Sequence, residues 1–454
     1  MDTPIYDFLK EYAASGTVRC HMPGHKGRLP ALGSELDITE ISGADSLFEA
    51  SGIIRESERA MSALYGTCDT FYSAGGSTLC IQAMLSAVKQ EGRTVIAARN
   101  VHRAFLNAAA LLGLDVKWVM PDYTDGILSG ALSLGDIERA LADTPNACIY
   151  LTSPDYTGRM ADIRAVSAIC RRYGAPLLVD NAHGAHLRFM PTDCHPITLG
   201  ADMCCDSAHK TLPALTGAAM LHTSSERYAG VLRQCMSLFA STSPSYLIMA
   251  SLDLCRKYAA EQIRVDISLN LAEIDKLRRT FADRLSFADG DPFHITLRAA
   301  ESGCDGNELA ELLREGGVEC EYADSSLVVL LMSPMSTHED YAKLTAALEK
   351  ALCAAKKLPP HPDSTALTLP RRAMSIREAV FSPSEEIPVA EAEGRICAAV
   401  KVPCPPAVPI AASGEVIDRA CIEIFKRYGI ATVNVVARGV PYDTVSELAI
   451  SAEI

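Results

Sequence analysis

Positive charge is the scarcer sign in this 454-residue chain, which has 42 Lys and Arg against 56 Asp and Glu and a formal net charge of -14. Nucleic acids and anionic membranes attract clustered cations, so this balance argues against both as partners. Long apolar runs are also missing, because a run such as Leu327 to Met332 is far too short to span a membrane. The first residues, Met1 to Tyr6, have neither the basic nor the apolar part of a secretory signal. We therefore expect a cytoplasmic protein.

Signals for disulfides and for metals are missing as well. The 16 cysteines are scattered and form no Cys-x-x-Cys, so most should be small buried apolar residues rather than a disulfide framework. The pairs His21/His25 and His183/His186 leave a metal-dependent hydrolase as a rival interpretation. Neither pair has the glutamate of a zinc-binding helix, and Gly184 disfavours a helix at the second pair. We expect no metal site.

What the chain does have is an alternation of helical periodicity with short β-rich runs. The pattern predicts helices over 4–14, 54–65, 78–89, 103–112, 134–142 and 163–172. It predicts strands over 94–97, 116–120, 147–151, 176–179, 203–205 and 218–222. Strands that alternate with helices of this length indicate an α/β fold with a mostly parallel sheet covered on both faces.

The domain organisation follows from changes in this pattern. Residues 1–20 form a helix and an arm, and residues 21–260 form the large domain. Long helices over 244–258 and 261–288 lead out of it, and residues 261–357 form a smaller α+β domain with strands near 294–297 and 326–331. The Pro-rich stretch 358–362 is typical of a linker, and a C-terminal domain occupies residues 368–454.

An Asp and a Lys in successive strand–turn units carry the strongest chemical signal. Asp180 directly follows an apolar run, and Lys210 lies in a polar turn after the next one. Pyridoxal 5'-phosphate (PLP) needs an amine that holds its aldehyde and a carboxylate that keeps its ring nitrogen protonated. Ligands of open α/β sheets bind at the carboxyl ends of the strands, where Asp180 would lie. The pair predicts a PLP enzyme with an aminotransferase-like fold.

Several motifs then resemble, in order, those of the bacterial ornithine/lysine/arginine decarboxylases. The segment Ser207 to Thr216 is similar to their lysine segment. The others are His21 to Gly27, Asp37 to Glu40, Arg99 to His102, Ser153 to Gly158 and Ser241 to Tyr246. The likeness runs from about residue 3 to the end and extends to the C-terminal domain. It implies a short form without the extra N-terminal domain of longer members.

The resemblance also implies roles for individual residues around the cofactor. His102 would stack on one face of the ring and Ala182 would pack on the other, while His183 would meet the phenolic oxygen. Lys210 or His209 would return the proton after CO₂ leaves. The phosphate-binding candidates are Gly75, Gly76, Ser77, Thr78, Ser207 and His209. Thr242 would reach the site of a neighbouring subunit, since the resemblance implies a homodimer or larger homo-oligomer.

Two departures from the family pattern bear on the phosphate loop and on the substrate. The phosphate loop reads Ala74-Gly75-Gly76, where relatives often have Asn-Gly-Thr or Asn-Gly-Ser. The segment Gly43 to Phe48 lacks one acid and one histidine that relatives often carry. Glu415 and Asp45, and after them Glu49, are the candidates to meet the distal cation of the substrate. Arginine is the first choice, and lysine and ornithine follow.

Three functions therefore remain open. The leading one is PLP-dependent decarboxylation of a basic amino acid to the amine and CO₂, a step of polyamine biosynthesis. The second is a PLP-dependent aminotransferase or another PLP lyase, because Asp180 and Lys210 alone do not exclude it. The third is a catalytically lapsed relative, which the intact Asp180 and Lys210 argue against.

Overall fold

The computed structural model describes residues 2–363, 365–399 and 408–439. Its α-helices are α1 Pro4–Ala14, α2 Ile53–Tyr65, α3 Gly76–Gln90, α4 Arg103–Leu112, α5 Leu134–Ala142, α6 Ile163–Tyr173, α7 Pro196–Leu199, α8 Ala208–Thr211, α9 Glu226–Ala229, α10 Leu232–Ser237, α11 Tyr246–Glu261, α12 Ile263–Phe281, α13 Gly306–Glu315, α14 His338–Ala354, α15 Ile376–Phe381 and α16 Arg419–Arg427. Short 3₁₀ helices occupy Pro30–Leu32, Leu47–Glu49, Ala185–Phe189 and Val389–Glu391.

The strands form one large and three small sheets. They are β1 Asp69–Ser73, β2 Thr94–Ala98, β3 Val116–Val119, β4 Asp122–Asp125, β5 Ser129–Ala131, β6 Ala147–Thr152, β7 Leu177–Asp180, β8 Met203–Asp206, β9 Ala219–Thr223, β10 His294–Arg298, β11 Tyr322–Ala323, β12 Leu327–Leu331, β13 Ser384–Pro388 and β14 Thr432–Val436. The large sheet has the order β1-β9-β8-β7-β6-β2-β3.

The large sheet is parallel except at β9, which runs antiparallel to both β1 and β8. Its central strands β6, β7 and β8 are buried along almost their whole length, as expected of strands covered by helices on both faces. Two reversals at β9 leave β1 pointing the same way as β8. The carboxyl ends of β1, β2, β6, β7 and β8 therefore meet at one edge, which is where ligands bind in such sheets.

The helices and strands predicted for the large domain are present with small shifts at their ends. Helices α1, α4 and α5 have the predicted bounds. The structure ends α12 at Phe281, earlier than predicted, because Phe287 turns back to bridge Leu297 at the edge of the small sheet. The hairpin β4–β5 was not predicted, and Gly126 (φ +61°) lies in its turn.

The segments after the large domain form two smaller sheets. β10, β12 and β11 make an antiparallel sheet, and α13 and α14 pack beside it. β13 pairs with β14, next to α16. A buried ion pair between Arg99 and Glu415 ties this C-terminal part to the large sheet, with Nη2 of Arg99 2.9 Å from Oε2 of Glu415.

Candidate active site

A cavity at the carboxyl edge of the large sheet collects half of the predicted cofactor residues. Its lining residues are Ser77, Asn100, His102, Leu128, Thr152, Tyr156, Asp180, Ala182, His183, Lys210 and Val408. Six of them were predicted from the sequence: Ser77, His102, Asp180, Ala182, His183 and Lys210. Residues from α3, β6, β7 and α8 thus meet at the edge that the strand order creates.

Asp180 is the last residue of β7, and only 2% of its surface is exposed. Its Oδ1 accepts a hydrogen bond from the backbone N–H of Ala182 (3.2 Å), and its Oδ2 accepts one from the hydroxyl of Tyr150 (3.3 Å). A buried carboxylate held by neighbours in this way keeps a fixed direction. Asp180 therefore places an oriented negative charge on the cavity wall.

Lys210 lies in the short helix α8, which directly follows β8. Its Nζ is 2.9 Å from Nε2 of His183. Burial lowers the pKa of His183 well below its ordinary value, and the positive charge of Lys210 lowers it further. A neutral imidazole is the form that can accept a hydrogen bond from an ammonium group.

The contacts of His183 continue into the small domain. Nδ1 of His183 is 3.1 Å from Nε2 of His294, and Nδ1 of His294 is 2.7 Å from Oδ2 of Asp291. The other oxygen of Asp291, Oδ1, is 2.9 Å from Nε2 of His186. The histidines around Asp291 hold the pKa of this carboxyl well below its usual range, against the effect of burial. We call Lys210, His183, His294 and Asp291 the relay.

Sequence reasoning missed His294 and Asp291. They lie more than eighty residues after Lys210, at the start of β10, and no local motif marks them. Only the packing of the small domain against the cavity edge brings them to His183. The one available signal was a histidine at the start of a predicted strand. A histidine in that position also has ordinary structural roles, so it does not by itself indicate a functional site.

His102 begins helix α4 and lines the cavity. Its Nδ1 accepts a hydrogen bond from the backbone N–H of Ala104 (3.1 Å), so in the neutral ring the proton is on Nε2. Burial is the main effect on the pKa of His102 and lowers it; Asp180 raises it, and Lys210 lowers it again. The predicted stacking of this ring on a cofactor stays a prediction.

Four of the predicted phosphate residues, Gly75 to Thr78, lie at the N-terminus of α3. Gly75 is the N-cap, and Gly76 has φ +67°, which side chains disfavour. Ser77 reaches the cavity, whereas Gly75 and Thr78 line a neighbouring cleft together with residues on both sides of Thr242. The Oγ of Ser207 is buried without a hydrogen-bond partner. Because buried hydroxyls are normally paired, this atom fits a phosphate ligand.

Taken together, the residues present fit PLP. The amine of Lys210 and the carboxylate of Asp180 face one cavity, and amide and hydroxyl donors lie at its α3 end. Asn100 Oδ1 and Thr152 Oγ1, which belong to two further lining residues, are buried without partners. Unpaired polar atoms in a cavity wall are explained when a polar group binds there.

Comparison with protein families identifies the same family that the sequence motifs predicted. Residues 3–290 match the family described as Orn/Lys/Arg decarboxylase, major domain, and residues 361–430 match its C-terminal domain. The chain belongs to the Orn/Lys/Arg decarboxylase family. The family predicted from the motifs, and with it the decarboxylation of a basic amino acid, is thereby confirmed.

Individual members of the Orn/Lys/Arg decarboxylase family are similar over nearly the full chain. An arginine decarboxylase of Bacillus subtilis is 30% identical, covering 94% of this chain and 93% of that protein. The uncharacterized protein YaaO of the same organism is 31% identical, covering 94% of each. A crystal structure of the Francisella novicida lysine decarboxylase LdcF superimposes with a TM-score of 0.80 at 16% identity, covering 96% of this chain and 81% of that one. The predicted aminotransferase-like α/β fold is confirmed.

Two acids that the sequence offered as substrate ligands are already engaged. Both oxygens of Asp45 accept backbone N–H bonds at the start of α2, from residues including Ser51 and Gly52. Oε2 of Glu415 is bonded to Arg99 and to the backbone N–H of Ala412. Leaving one partner of a buried pair uncompensated costs about 3–5 kcal/mol. Neither acid lines the cavity, and Glu415 is only 3% exposed, so the structure gives no support to their role as substrate ligands, which stays a prediction.

The remaining predicted residues lie near the cavity but not in its wall. His209 is half-buried and donates from Nδ1 to the carbonyl oxygen of Ala218 (2.9 Å). Burial lowers the pKa of His209. Thr242 is exposed. Within the described ranges, no helix is both long and apolar enough to cross a membrane.

Proposed function

We propose that this decarboxylase binds PLP covalently through Lys210 and acts on arginine first, with lysine and ornithine as weaker substrates. The observation that supports the cofactor assignment is that Lys210 and Asp180 face the same cavity. When bound, PLP supplies an electron sink for the pair of electrons that CO₂ leaves behind. Asp180 would maintain that sink by keeping the ring nitrogen protonated.

The hydrogen bonds of the relay fix which ring nitrogen carries the proton in His294 and in His183. An ionised Asp291 can only accept, so His294 donates to it from Nδ1 and keeps a lone pair on Nε2. His183 then donates from Nδ1 to His294 and presents a lone pair at Nε2 to Lys210. His183 can therefore take a proton from Nζ of Lys210 and give it back at the same atom. His294 and Asp291 act as positioning residues for His183.

This arrangement of protons favours Lys210 over His209 as the proton donor to the α-carbon. His209 is already fixed as an Nδ1–H donor to a carbonyl oxygen. Its second nitrogen is unprotonated in the neutral ring, and its pKa is lowered by burial. Lys210 lies in the cavity wall and has a proton acceptor beside it. The same amine that holds the cofactor would thus return the proton.

The choice of decarboxylation over transamination agrees with the cavity lining. An aminotransferase needs an arginine that holds the substrate carboxylate, and none of the lining residues in the described ranges is an arginine. Decarboxylation needs that carboxylate loosely held. The aminotransferase remains the second candidate only because Asp180 and Lys210 serve both reactions.

An acid is available near the cavity for the distal cation of the substrate. The hydroxyl of Tyr156 donates to Oε1 of Glu321 (2.8 Å), and Tyr156 itself lines the cavity. Glu321 is exposed, so its carboxylate can accept a guanidinium without losing a buried partner. A guanidinium can bind a carboxylate through two parallel hydrogen bonds, which an ammonium cannot. Several relatives named arginine decarboxylase agree with this order of preference.

The deciding experiment measures CO₂ release from the twenty standard amino acids and from ornithine by the PLP-loaded protein, with identification of the product. We expect agmatine from arginine with the highest kcat/KM, and Glu321→Gln should lower kcat/KM for arginine more than for lysine. Keto-acid formation in place of CO₂ would transfer the protein to the aminotransferases. No CO₂ release from any of these amino acids would favour a catalytically lapsed relative.

We also propose a homodimer. The arm after α1 exposes several large apolar side chains, namely Val18, Met22, Leu29 and Leu32, and Leu238 is exposed close to Thr242 in the sequence. Apolar side chains grouped on a surface are typical of an interface. Light scattering after gel filtration should give twice the 48.7 kDa chain mass or a multiple of it. A monomer at working concentration would overturn this proposal.

A further inference from the structure

A second group of reactive side chains lies on one face of β8 and β9, away from the residues that line the cavity. Cys204 and Asp206 are two residues apart on β8 and so point to the same face. His222 of β9 is the register partner of Cys204. His195 reaches the group from the turn before α7. The surfaces of all four residues are completely buried.

The side-chain atoms of His195, Asp206 and His222 converge on one point, and the Sγ of Cys204 lies beside them, 3.9 Å from Oδ1 of Asp206. Oδ2 of Asp206 lies 3.0 Å from Nε2 of His195 and 3.4 Å from Nε2 of His222. The Sγ of Cys204 lies 3.8 Å from the same nitrogen of His195. Four ligands arranged tetrahedrally at zinc bond lengths stand about 3.3 Å apart for N and O and about 3.6 Å for S and N. The observed separations are close to that arrangement.

The contacts on the outer side of the group also suit ligands. Nδ1 of His222 is 2.9 Å from the hydroxyl of Thr70, which leaves Nε2 directed inward. Nδ2 of Asn181 donates to Oδ1 of Asp206 (2.7 Å), which leaves Oδ2 directed inward. Outer hydrogen bonds of this kind are typical of metal ligands, and His222 and Asp206 have them, whereas Nδ1 of His195 is buried without a partner.

Hydrogen bonding alone does not account for the group. Nε2 of His222 is buried without a hydrogen-bond partner, although it lies near Asp206. One carboxylate oxygen faces two imidazole nitrogens, and the geometry satisfies only the bond to His195. A divalent cation would satisfy both nitrogens at once. With a thiolate and a carboxylate it would also leave the buried group with no net charge.

We propose that His195, Cys204, Asp206 and His222 bind one divalent late transition metal, with Zn²⁺ as the first choice. Two imidazoles, a thiolate and a carboxylate are donors that zinc accepts in closed structural sites. The site joins β8, β9 and the turn before α7. Asn181, which donates a hydrogen bond to Asp206, directly follows Asp180 in the chain. The metal therefore stabilises the strand ends that carry Asp180 and Lys210.

The expectation of no metal rested on the histidine pairs at 21/25 and 183/186, and this site uses neither. Its ligands are spread over 28 positions with no motif spacing. Strand pairing places His222 opposite Cys204, and the turn before α7 adds His195, so only the folded chain brings the four together.

The test is the metal content of untagged protein produced with zinc in the medium, measured by mass spectrometry of the elements after gel filtration. We expect about one zinc per chain, as in other closed structural sites. His222→Gln should lose the metal, and His186→Gln should retain it, because His186 is equally buried but lies outside the group. Less than about 0.1 metal per chain in the parent protein overturns the site, whether or not the variants fold.

X-ray absorption at the zinc edge tests the ligand set without relying on a variant. We expect one sulfur neighbour at about 2.3 Å and nitrogen or oxygen neighbours at about 2.0 Å. Bound zinc with no sulfur neighbour would overturn the four-residue site. Neither measurement depends on PLP or on turnover, so failure here leaves the proposed function standing, and failure of the decarboxylase assay leaves this site standing.

Discussion

Asp291 and Asp206 are both completely enclosed by protein and both contact two histidines, yet they use their carboxylates in opposite ways. Each oxygen of Asp291 meets one imidazole, Oδ2 that of His294 and Oδ1 that of His186. At Asp206 a single oxygen faces two imidazole nitrogens, while the other oxygen is taken by Asn181.

The difference indicates two kinds of chemistry. At Asp291 the contacts diverge: Oδ2 meets His294, and Oδ1 meets His186 and the backbone N–H of Phe293. His294 and His183 then connect Asp291 to the cavity. At Asp206 the contacts converge on one oxygen, and only the imidazole of His195 is hydrogen-bonded to it; a cation between the groups would satisfy Nε2 of His222 as well. The difference supports our proposals that the Asp291 group acts in catalysis and the Asp206 group in the stability of the strand ends.

The largest effect should come from Asp180, the last residue of β7 and a lining residue of the cavity. Asp180→Asn keeps the size of the side chain and removes the charge, so turnover should fall on the order of a hundredfold or more. Cofactor content and the unfolding midpoint should change little. Steady-state kinetics with arginine and the absorbance of the loaded protein measure both.

Asp206→Asn is the matched control for Asp180→Asn, because it makes the same change of Asp to Asn in the group that we propose binds a metal. It should lower metal content and thermal stability while PLP still reaches Lys210. Equal activity of Asp180→Asn and the parent would show that the ring-nitrogen partner has been wrongly assigned.

A smaller effect is expected from Asp291→Asn. Without the anion, neither His294 nor His183 is held in one tautomer, and kcat should fall roughly ten- to a hundredfold, as when an outer partner of an active-site group is lost. Removing a negative charge disfavours protonated forms, so the pH titration of the cofactor absorbance should move to lower pH. Stopped-flow spectra across pH measure this shift.

His186→Gln provides the control for that experiment. It contacts the other oxygen of Asp291 and leaves the link to His294 in place. An unshifted titration in Asp291→Asn, or an equal shift in both variants, would show that the relay does not act on Lys210.

The smallest effect concerns the dependence of stability on pH. The pKa of His183 is lowered in the folded protein, so below the ordinary value of about 6.5 the unfolded chain binds a proton that the folded chain does not. This contribution to the free energy of unfolding is complete above pH 6.5 and is lost as the pH falls through the folded pKa. Urea midpoints between pH 8 and 5 should fall less steeply in His183→Asn than in the parent. Parallel slopes would contradict the neutral His183.

The sequence predicted those parts of the site that depend on local order. Asp180 and Lys210 follow strands, and strand ends in a parallel sheet meet at one edge, so their proximity could be inferred before any coordinates. The end of helix α4 could be predicted to the residue, because Gly113 directly follows its last apolar residue, Leu112.

What could not be predicted depends on contacts between distant segments. His294 and Asp291 come from the small domain, and their role exists only because that domain packs against His183. Glu415 is bound to Arg99 across 316 positions of sequence. The sequence alone therefore suggested a substrate ligand at a residue that the structure holds in an ion pair. The carboxylate of Asp45 accepts backbone N–H bonds at the start of α2, eight positions along the chain, and its backbone has φ +66°; composition reveals neither feature.

The central claim is that Lys210 holds the cofactor in the cavity that Asp180 lines, and borohydride trapping tests it most directly. The PLP-loaded protein should absorb near ~420 nm, and reduction should bleach that band. Peptide mapping should then find the adduct on Lys210, and Lys210→Ala should yield none. An adduct on another lysine, or no bound PLP after reconstitution of the parent protein, would contradict the account.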